Sequence, residues 1–156
     1  MFDPSWLWIM GLAVLTAVAL AGWWRSRRLR GQMPIDQARR LFHLQRERLE
    51  HRFLLLASQS GKPRGLEWVE CDFADEVAFA RDRNTGLLRA LVGVTIRFRP
   101  IVGGGMEDNP NAENLRAATA LFHLEGRQWN TDGRALFNLN PQEAIRHYQQ
   151  ELEVVE

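Results

Sequence analysis

An uncharged run near the N-terminus most constrains what this chain can fold into. Residues 6–24 (WLWIMGLAVLTAVALAGWW) contain no charged side chain in 19 consecutive positions. At about 1.5 Å per residue, a helix of this length extends about 28 Å, close to the hydrocarbon thickness of a bilayer. Indole rings favour the boundary between water and lipid. We therefore predict a transmembrane helix over 6–24, with its membrane-interface tryptophans at the two ends: Trp6, Trp8, Trp23 and Trp24.

The residues that flank the run predict its orientation. A secretory signal peptide carries positive charge before its apolar segment and small residues at a cleavage site after it. Residues 1–5 (MFDPS) contain no Lys or Arg, and Trp23 and Trp24 stand where cleavage would occur. Arginines beside a span favour the cytoplasmic side and also attract anionic lipids. The arginines beside this run are Arg25, Arg27, Arg28 and Arg30.

These features predict a single-pass protein of the cell membrane. Residues 1–5 form a short outer N-terminus, and residues 25–33 form a basic juxtamembrane linker. Residues 34–156 form a cytoplasmic domain, because the roughly 130 residues that follow the span are enough for one domain with one core. The single cysteine, Cys71, cannot form a disulfide within the chain, which suits a reducing compartment.

Charge is distributed unevenly along the part that follows the predicted span. Residues 25–52 hold nine arginines and three acids, a net charge of +6. Residues 66–156 hold nine arginines and fifteen acids, a net charge of −6. Proteins bind nucleic acid through basic surfaces. We therefore expect no nucleic-acid partner for the distal domain.

The domain begins with a helical pattern. Pro34 suits the first turn of a helix, and Gly61 followed by Pro63 predicts its end. Between about Ile35 and Ser58 the apolar residues fall mostly on one helical face. These residues are Ala38, Leu41, Phe42, Leu44, Leu49, Phe53 and Leu56.

Five runs typical of β-strands follow, at 66–73, 76–82, 87–101, 114–124 and 127–138. The turn sequence RNTG between the second and third runs predicts a hairpin. The third run alternates, which places six apolar side chains on one face of the sheet. These side chains are Leu88, Ala90, Val92, Val94, Ile96 and Phe98.

A last helix is predicted from Pro141 to about Glu153, with Asn140 as its N-terminal cap. The fold class is therefore α+β, with a long helix packed on a curved antiparallel sheet of four or five strands and a closing helix. This order of elements, over 34–153, resembles the nuclear-transport-factor-2/cystatin type of roll. Proteins of that architecture serve as enzymes, ligand binders and oligomerisation modules, so the resemblance implies no particular function.

The loop at Val102–Glu113 is the candidate binding loop. Consecutive glycines let backbone amides wrap an anion, and neighbouring carboxylates supply oxygen atoms for a cation. The pattern lacks the Lys of a P-loop and the spacing of an EF-hand, and a mobile connection between hairpins is the plainer interpretation. We expect no cofactor, no metal and no catalytic motif. The loop residues in question are Gly103, Gly104, Gly105, Glu107 and Asp108.

The second face of the predicted sheet is small and semi-apolar, unlike a solvated surface. Either the last helix or a second protein surface should cover it. We therefore predict an interaction or self-association module; the alternative is a ligand-binding or enzymatic domain with an apolar pocket between the long helix and the sheet. The candidate interaction face consists of Leu91, Thr95, Arg97, Thr119 and Leu121.

Overall fold

A computed structural model of the chain describes residues 10–11, 14–23, 33–60 and 63–155. The chain divides into two compact units, Met1–Met33 and Pro34–Glu156. In the first unit, the described residues 10–11 and 14–23 are helical and exposed, Trp23 among them. Among all described residues, no helix is both long and apolar enough to cross a bilayer. The other predicted membrane-interface residues lie outside the described ranges: Trp6, Trp8, Trp24, Arg25, Arg27, Arg28 and Arg30.

The second unit is an α+β domain with an antiparallel sheet, as predicted, but the sheet has six strands where four or five were predicted. Its helices are α1 (Ile35–Gln59) and α2 (Pro141–His147). Its strands are β1 (Leu66–Asp82), β2 (Leu88–Pro100), β3 (Arg116–Glu125), β4 (Gln128–Asn130), β5 (Ala135–Phe137) and β6 (Leu152–Val154). The strand order is β4-β3-β2-β1-β6, and β5 pairs with β3 along the same edge as β4.

The first two predicted strands are one long strand, β1, with a bulge in its middle. The pairing of β1 with β2 shifts between Phe73 and Val77, which leaves three residues of β1 without a partner of their own. Arg46 of α1 holds this bulge, because its guanidinium donates to the carbonyls of Ala74 and Asp75, the latter at 2.9 Å. The interruption predicted between the strands at 66–73 and 76–82 is therefore a bulge within one strand.

The predicted strand over 127–138 is divided into β4 and β5. Between them Gly133 takes a left-handed conformation, with φ of +70°. A Cβ atom at this glycine would lie 2.6 Å from the backbone nitrogen of Ala57 in α1. The chain bends here because only glycine permits both the conformation and this close approach of the helix.

The last helix is shorter than predicted. Its start is confirmed, since the Asn140 side chain accepts from the Glu143 amide at 2.8 Å and the Glu143 carboxylate accepts from the Asn140 amide at 3.1 Å. The helix ends at His147, and residues 152–154 form β6 against Ala80–Asp82 of β1. The pairing with β6 satisfies backbone N–H and C=O groups at the edge of β1. A continued helix would have left these groups without hydrogen-bond partners in a strand.

The inner face of the sheet packs on α1. All six alternating apolar side chains of β2, from Leu88 to Phe98, are buried as predicted. On α1 the buried residues are Ala38, Phe42, Leu49, Phe53 and Ala57. Leu44, predicted to belong to the packed face, is 84 % exposed. It lies two positions after Phe42, about 200° around the helix, so it points to solvent.

Aromatic side chains fill the space between α1 and the sheet. The ring of Phe42 meets those of Phe79, Phe122 and Trp129 at centroid distances of 5.9, 5.4 and 5.1 Å, all edge to face. The buried indole N–H of Trp129 donates to the carbonyl of Ala38 at 2.8 Å. The inner face is thus a packed core, as its apolar pattern indicated.

Two neighbouring residues of β2 test this assignment of faces. In the isolated 33–156 domain, Val94→Asp should lower the free energy of unfolding by at least about 3 kcal/mol, because it buries an unpaired carboxylate. Thr95→Asp should cost about 1 kcal/mol or less, since Thr95 is exposed on the other face. Urea denaturation of both variants measures the difference. Equal losses would contradict the orientation of β2.

Candidate functional site

The outer face of the sheet, which points away from α1, contains all five residues predicted as an interaction face. Leu91 lies opposite Leu121 in the pairing of β2 with β3, and Thr95 lies opposite Ala117. These five residues differ in their exposure to solvent. The C-terminal segment, residues 138–155, crosses one half of the outer face and leaves the other half uncovered.

The covered half includes Leu91, Thr119 and Leu121. The hydroxyl of Thr119 donates to the carbonyl of Leu139 at 2.7 Å, which fixes the crossing chain over β3. Leu91 is fully buried under α2, and Leu121 packs at the border of the same cluster. The C-terminal segment therefore supplies the cover that the sequence left open between α2 and a second protein. The buried members of this cluster are Ala80, Leu91, Leu136, Ala144, Ile145 and Leu152.

An ion pair lies beside the covered half, where β1 turns into β2. Asp82 is 7 % exposed and receives two hydrogen bonds from the Arg89 guanidinium, at 2.6 and 3.0 Å. Its other oxygen accepts from the amides of Asn84 and Thr85 at 3.0 and 2.9 Å. Burial alone raises the pKa of Asp82, but the Thr85 amide and the Arg89 guanidinium lower this pKa more, so the net shift is downward.

The open half-face is the uncovered part of the outer face, and its residues are exposed. Glu70 and Arg97 are Cα partners on β1 and β2, and their charged groups lie 3.7 Å apart. Arg97 and Thr95, both predicted interaction residues, belong to this half. The open half-face consists of Glu67, Val69, Glu70 and Asp72 on β1, Thr95, Arg97 and Arg99 on β2, Leu115 just before β3, and Ala117 in β3.

Two grooves run over the open half-face. The first, of about 480 Å³, lies beneath the crossing chain and is lined by Asp72, Thr95, Ala117 and residues 138–140, among others. The second, of about 370 Å³, surrounds Arg97 and is bordered by the apolar side chains of Val69 and Leu115. The lining of the first groove contains carboxylates, amides and a hydroxyl but no basic side chain.

The described residues offer little basis for metal or covalent chemistry. Within the described ranges, no three His, Cys, Asp or Glu side chains are grouped to hold a metal ion. Cys71 is half-buried, and its pKa is raised to about 11, first by burial and then by the charge of Glu70. A thiol with such a pKa is a weak nucleophile at neutral pH.

The candidate binding loop holds a carboxylate of its own chain. The Gly103 amide donates to the side chain of Glu107, and the amides of Glu107, Gly103 and Gly105 together lower the pKa of Glu107. Gly104 packs on Gly65, where an added Cβ would lie 2.9 Å from the Gly65 Cα. The amides of Gly103 and Gly105 thus already face Glu107, and the Gly104 amide donates to the carbonyl of Ile101 at 2.8 Å. Asp108 is exposed beside them.

Sequence reasoning missed several residues of the site. Val69 borders the second groove because an irregularity in pairing between Trp68 and Glu70 makes it an extra residue of β1. No sequence signal marks that bulge. The Asp82–Arg89 pair had a signal, since an Asp that begins a turn often accepts from the amides that follow.

Comparison of the chain with models of known protein families, with curated proteins and with solved structures found no significant match. The site has to be interpreted from its own geometry.

The Asp82–Arg89 pair predicts a pH-dependent contribution to stability. Asp82→Asn should lower the free energy of unfolding by about 2 kcal/mol at pH 7, because it leaves Arg89 without its carboxylate. A lowered pKa stabilises the fold above the unfolded-state value of about 3.9, and this stabilisation is lost as the pH falls through the folded-state pKa. Urea denaturation at pH 7 and pH 2.5 should show a smaller difference between the variant and the unaltered domain at the lower pH.

The matched control is Glu153→Gln, which removes a pair with Arg83 that is half exposed on both sides. That variant should change stability little at either pH. An Asp82→Asn effect that is equal at the two pH values would contradict the ionic role of Asp82.

Proposed function

We propose that this chain is a single-pass membrane-anchored protein whose α+β domain serves as a protein-interaction module. The observation that carries the proposal is the open half-face, a three-strand surface with exposed apolar and charged residues that the C-terminal segment leaves uncovered. In this proposal residues 6–24 span the cell membrane, and the arginines that follow keep residues 34–156 on the cytoplasmic side and contact anionic lipids. The domain is then an adaptor or structural subunit of a membrane assembly.

The composition of the open half-face supports an interaction role. Leu115 and Val69 are 61 % and 39 % exposed and border the groove around Arg97. Ala117 is exposed two positions after Leu115, opposite Thr95. Apolar side chains that are grouped on an exposed surface and rimmed by charge are typical of protein contact sites. The other half of the same face is buried by the chain's own C-terminal segment. Burial of one half by protein supports the proposal that another protein surface contacts the open half.

The packed inner face supports an interaction role over the pocket first considered. The aromatic rings of Phe42, Phe79, Phe122 and Trp129 occupy the space between α1 and the sheet, where an apolar ligand would have to lie. The second candidate function is binding of a small ligand, and its site would be the first groove of the outer face. The volume of this groove, about 480 Å³, is in the range of small-molecule sites.

Photo-cross-linking in membranes tests the proposal. The full-length chain is expressed with a photo-reactive residue in place of Leu115, and the membrane fraction is washed with alkaline carbonate. We expect the chain to stay in the washed membranes, because the span is held by the hydrocarbon core. We expect irradiation to give a cross-linked protein adduct, because Leu115 would lie in the contact.

Two controls make the result specific. A chain that lacks residues 1–32 should leave the membranes in the wash. The photo-reactive residue at Arg48, which is exposed on α1 on the other side of the sheet, should give far less adduct. Release of the full-length chain by carbonate would contradict the anchor, and equal cross-linking from Arg48 and Leu115 would contradict the interaction face.

A further inference from the structure

We propose that the partner of the open half-face is a second copy of this chain, with the acidic β1 of each copy facing the arginines of β2 of the other. This inference rests on the proposed function, since it names the partner of the same surface. The identity of the partner follows from the distribution of charge over two neighbouring strands of the open half-face.

The charges of the open half-face are separated by strand. On β1 the outward side chains are Glu67, Glu70 and Asp72, and on β2 they include Arg97 and Arg99. A surface with one sign of charge on one strand and the opposite sign on the next is complementary to itself under two-fold rotation. Contacts between identical patches related by a two-fold axis are the commonest form of homo-oligomer. Another basic or acidic protein would match only one of the two strands.

The charges are free to pair with a partner because their pairing within the copy is weak. Glu70 and Arg97 are 3.7 Å apart, and their side chains are 64 % and 56 % exposed. A pair at this distance and exposure contributes about 0 to 1 kcal/mol, so exchanging it for a pair between copies costs little. Val69, Leu115 and Ala117 lie beside these charges and would lose solvent contact in the same step.

The free edge of β1 is a poorer place for self-association. Asp75 and Glu76 are exposed there, and pairing β1 with β1 of another copy would bring acids against acids. The bulge that Arg46 holds also interrupts the edge, and bulges and charges are features that prevent pairing between sheet edges. Contact through the outer face requires no backbone pairing between strands, so these features do not prevent it.

The size of the open half-face predicts a weak contact that depends on the membrane. From Thr95 to Arg99, β2 extends about 13 Å, and three strands extend about 10 Å between the outer Cα atoms. Such a patch is smaller than the ~800 Å² per partner of a stable complex. Confinement of both copies to one membrane raises their effective concentration and supports such a contact.

Reciprocal charge reversal tests the inference. Full-length chains that carry a donor or an acceptor fluorescent protein at the C-terminus are reconstituted together into phosphatidylcholine vesicles, and energy transfer is measured against surface density. One variant reverses β1 (Glu67→Lys with Glu70→Lys), and the other reverses β2 (Arg97→Glu with Arg99→Glu). Each variant alone should need about tenfold higher density for the same transfer, because like charges then face each other.

Mixing the two variants is the decisive step. A donor copy with reversed β1 and an acceptor copy with reversed β2 restore opposite charges at both contacts, so their transfer should return to within about twofold of the unaltered chain. A chain with Glu47→Lys and Asp132→Lys serves as control, because these exposed acids lie away from the open half-face. This control should behave like the unaltered chain.

Every other result overturns the inference. Absence of transfer at the highest density means that the copies do not associate. Transfer that neither reversal affects places the contact elsewhere, such as in the span. Loss in both variants without recovery on mixing means that the strands do not face each other. The Leu115 cross-link to a different protein, with no transfer, would retain the proposed function and reject only the second copy as partner.

Discussion

The hydrogen bond from the indole of Trp129 to the carbonyl of Ala38 joins the long helix to the edge of the sheet, 91 residues away along the chain. Around it, Phe42 of α1 contacts three aromatic rings from β1, β3 and β4. The position of α1 on the sheet depends on these contacts, since they are the points where one helix meets three strands. Gly133 permits the close approach of the chain to Ala57 of α1. Arg46 of α1 donates hydrogen bonds to the bulge of β1. Both features fit the sheet to the helix.

Because aromatic rings fill the inner face, the surface available for function is the outer face. There the C-terminal segment crosses from β5 over Thr119 to the far edge of β1, where β6 pairs with Ala80–Asp82. The crossing divides the outer face into a covered half and the open half-face. The residues that the segment covers are almost all apolar, whereas those that it leaves open combine small and apolar side chains with opposite charges. A membrane anchor would bring such faces of two copies together in one plane.

The sequence predicted the parts of the fold that depend on local patterns. The alternation of Leu88–Phe98, the turn at Arg83–Gly86 and the cap at Asn140 each act over a few residues, and each is present. The errors fall where distant residues decide the outcome. Residues 152–154 form a strand because the edge of β1 is available, and Gly133 bends the chain because α1 lies against it. For the site, periodicity placed Leu91, Thr95, Thr119 and Leu121 on one face, but only the path of the C-terminal segment shows which of them stay exposed.

That half of the outer face stays open is tested most directly by the labelling rates of two engineered cysteines in β3. Ala117 is exposed and Thr119 is fully buried, although they lie two residues apart on the same face. In a full-length chain with Cys71→Ala, maleimide should label Ala117→Cys at least about tenfold faster than Thr119→Cys at low protein density, because only the first thiol meets solvent. Equally slow labelling would mean that the open half-face is covered within a single chain and would contradict its role as a contact surface.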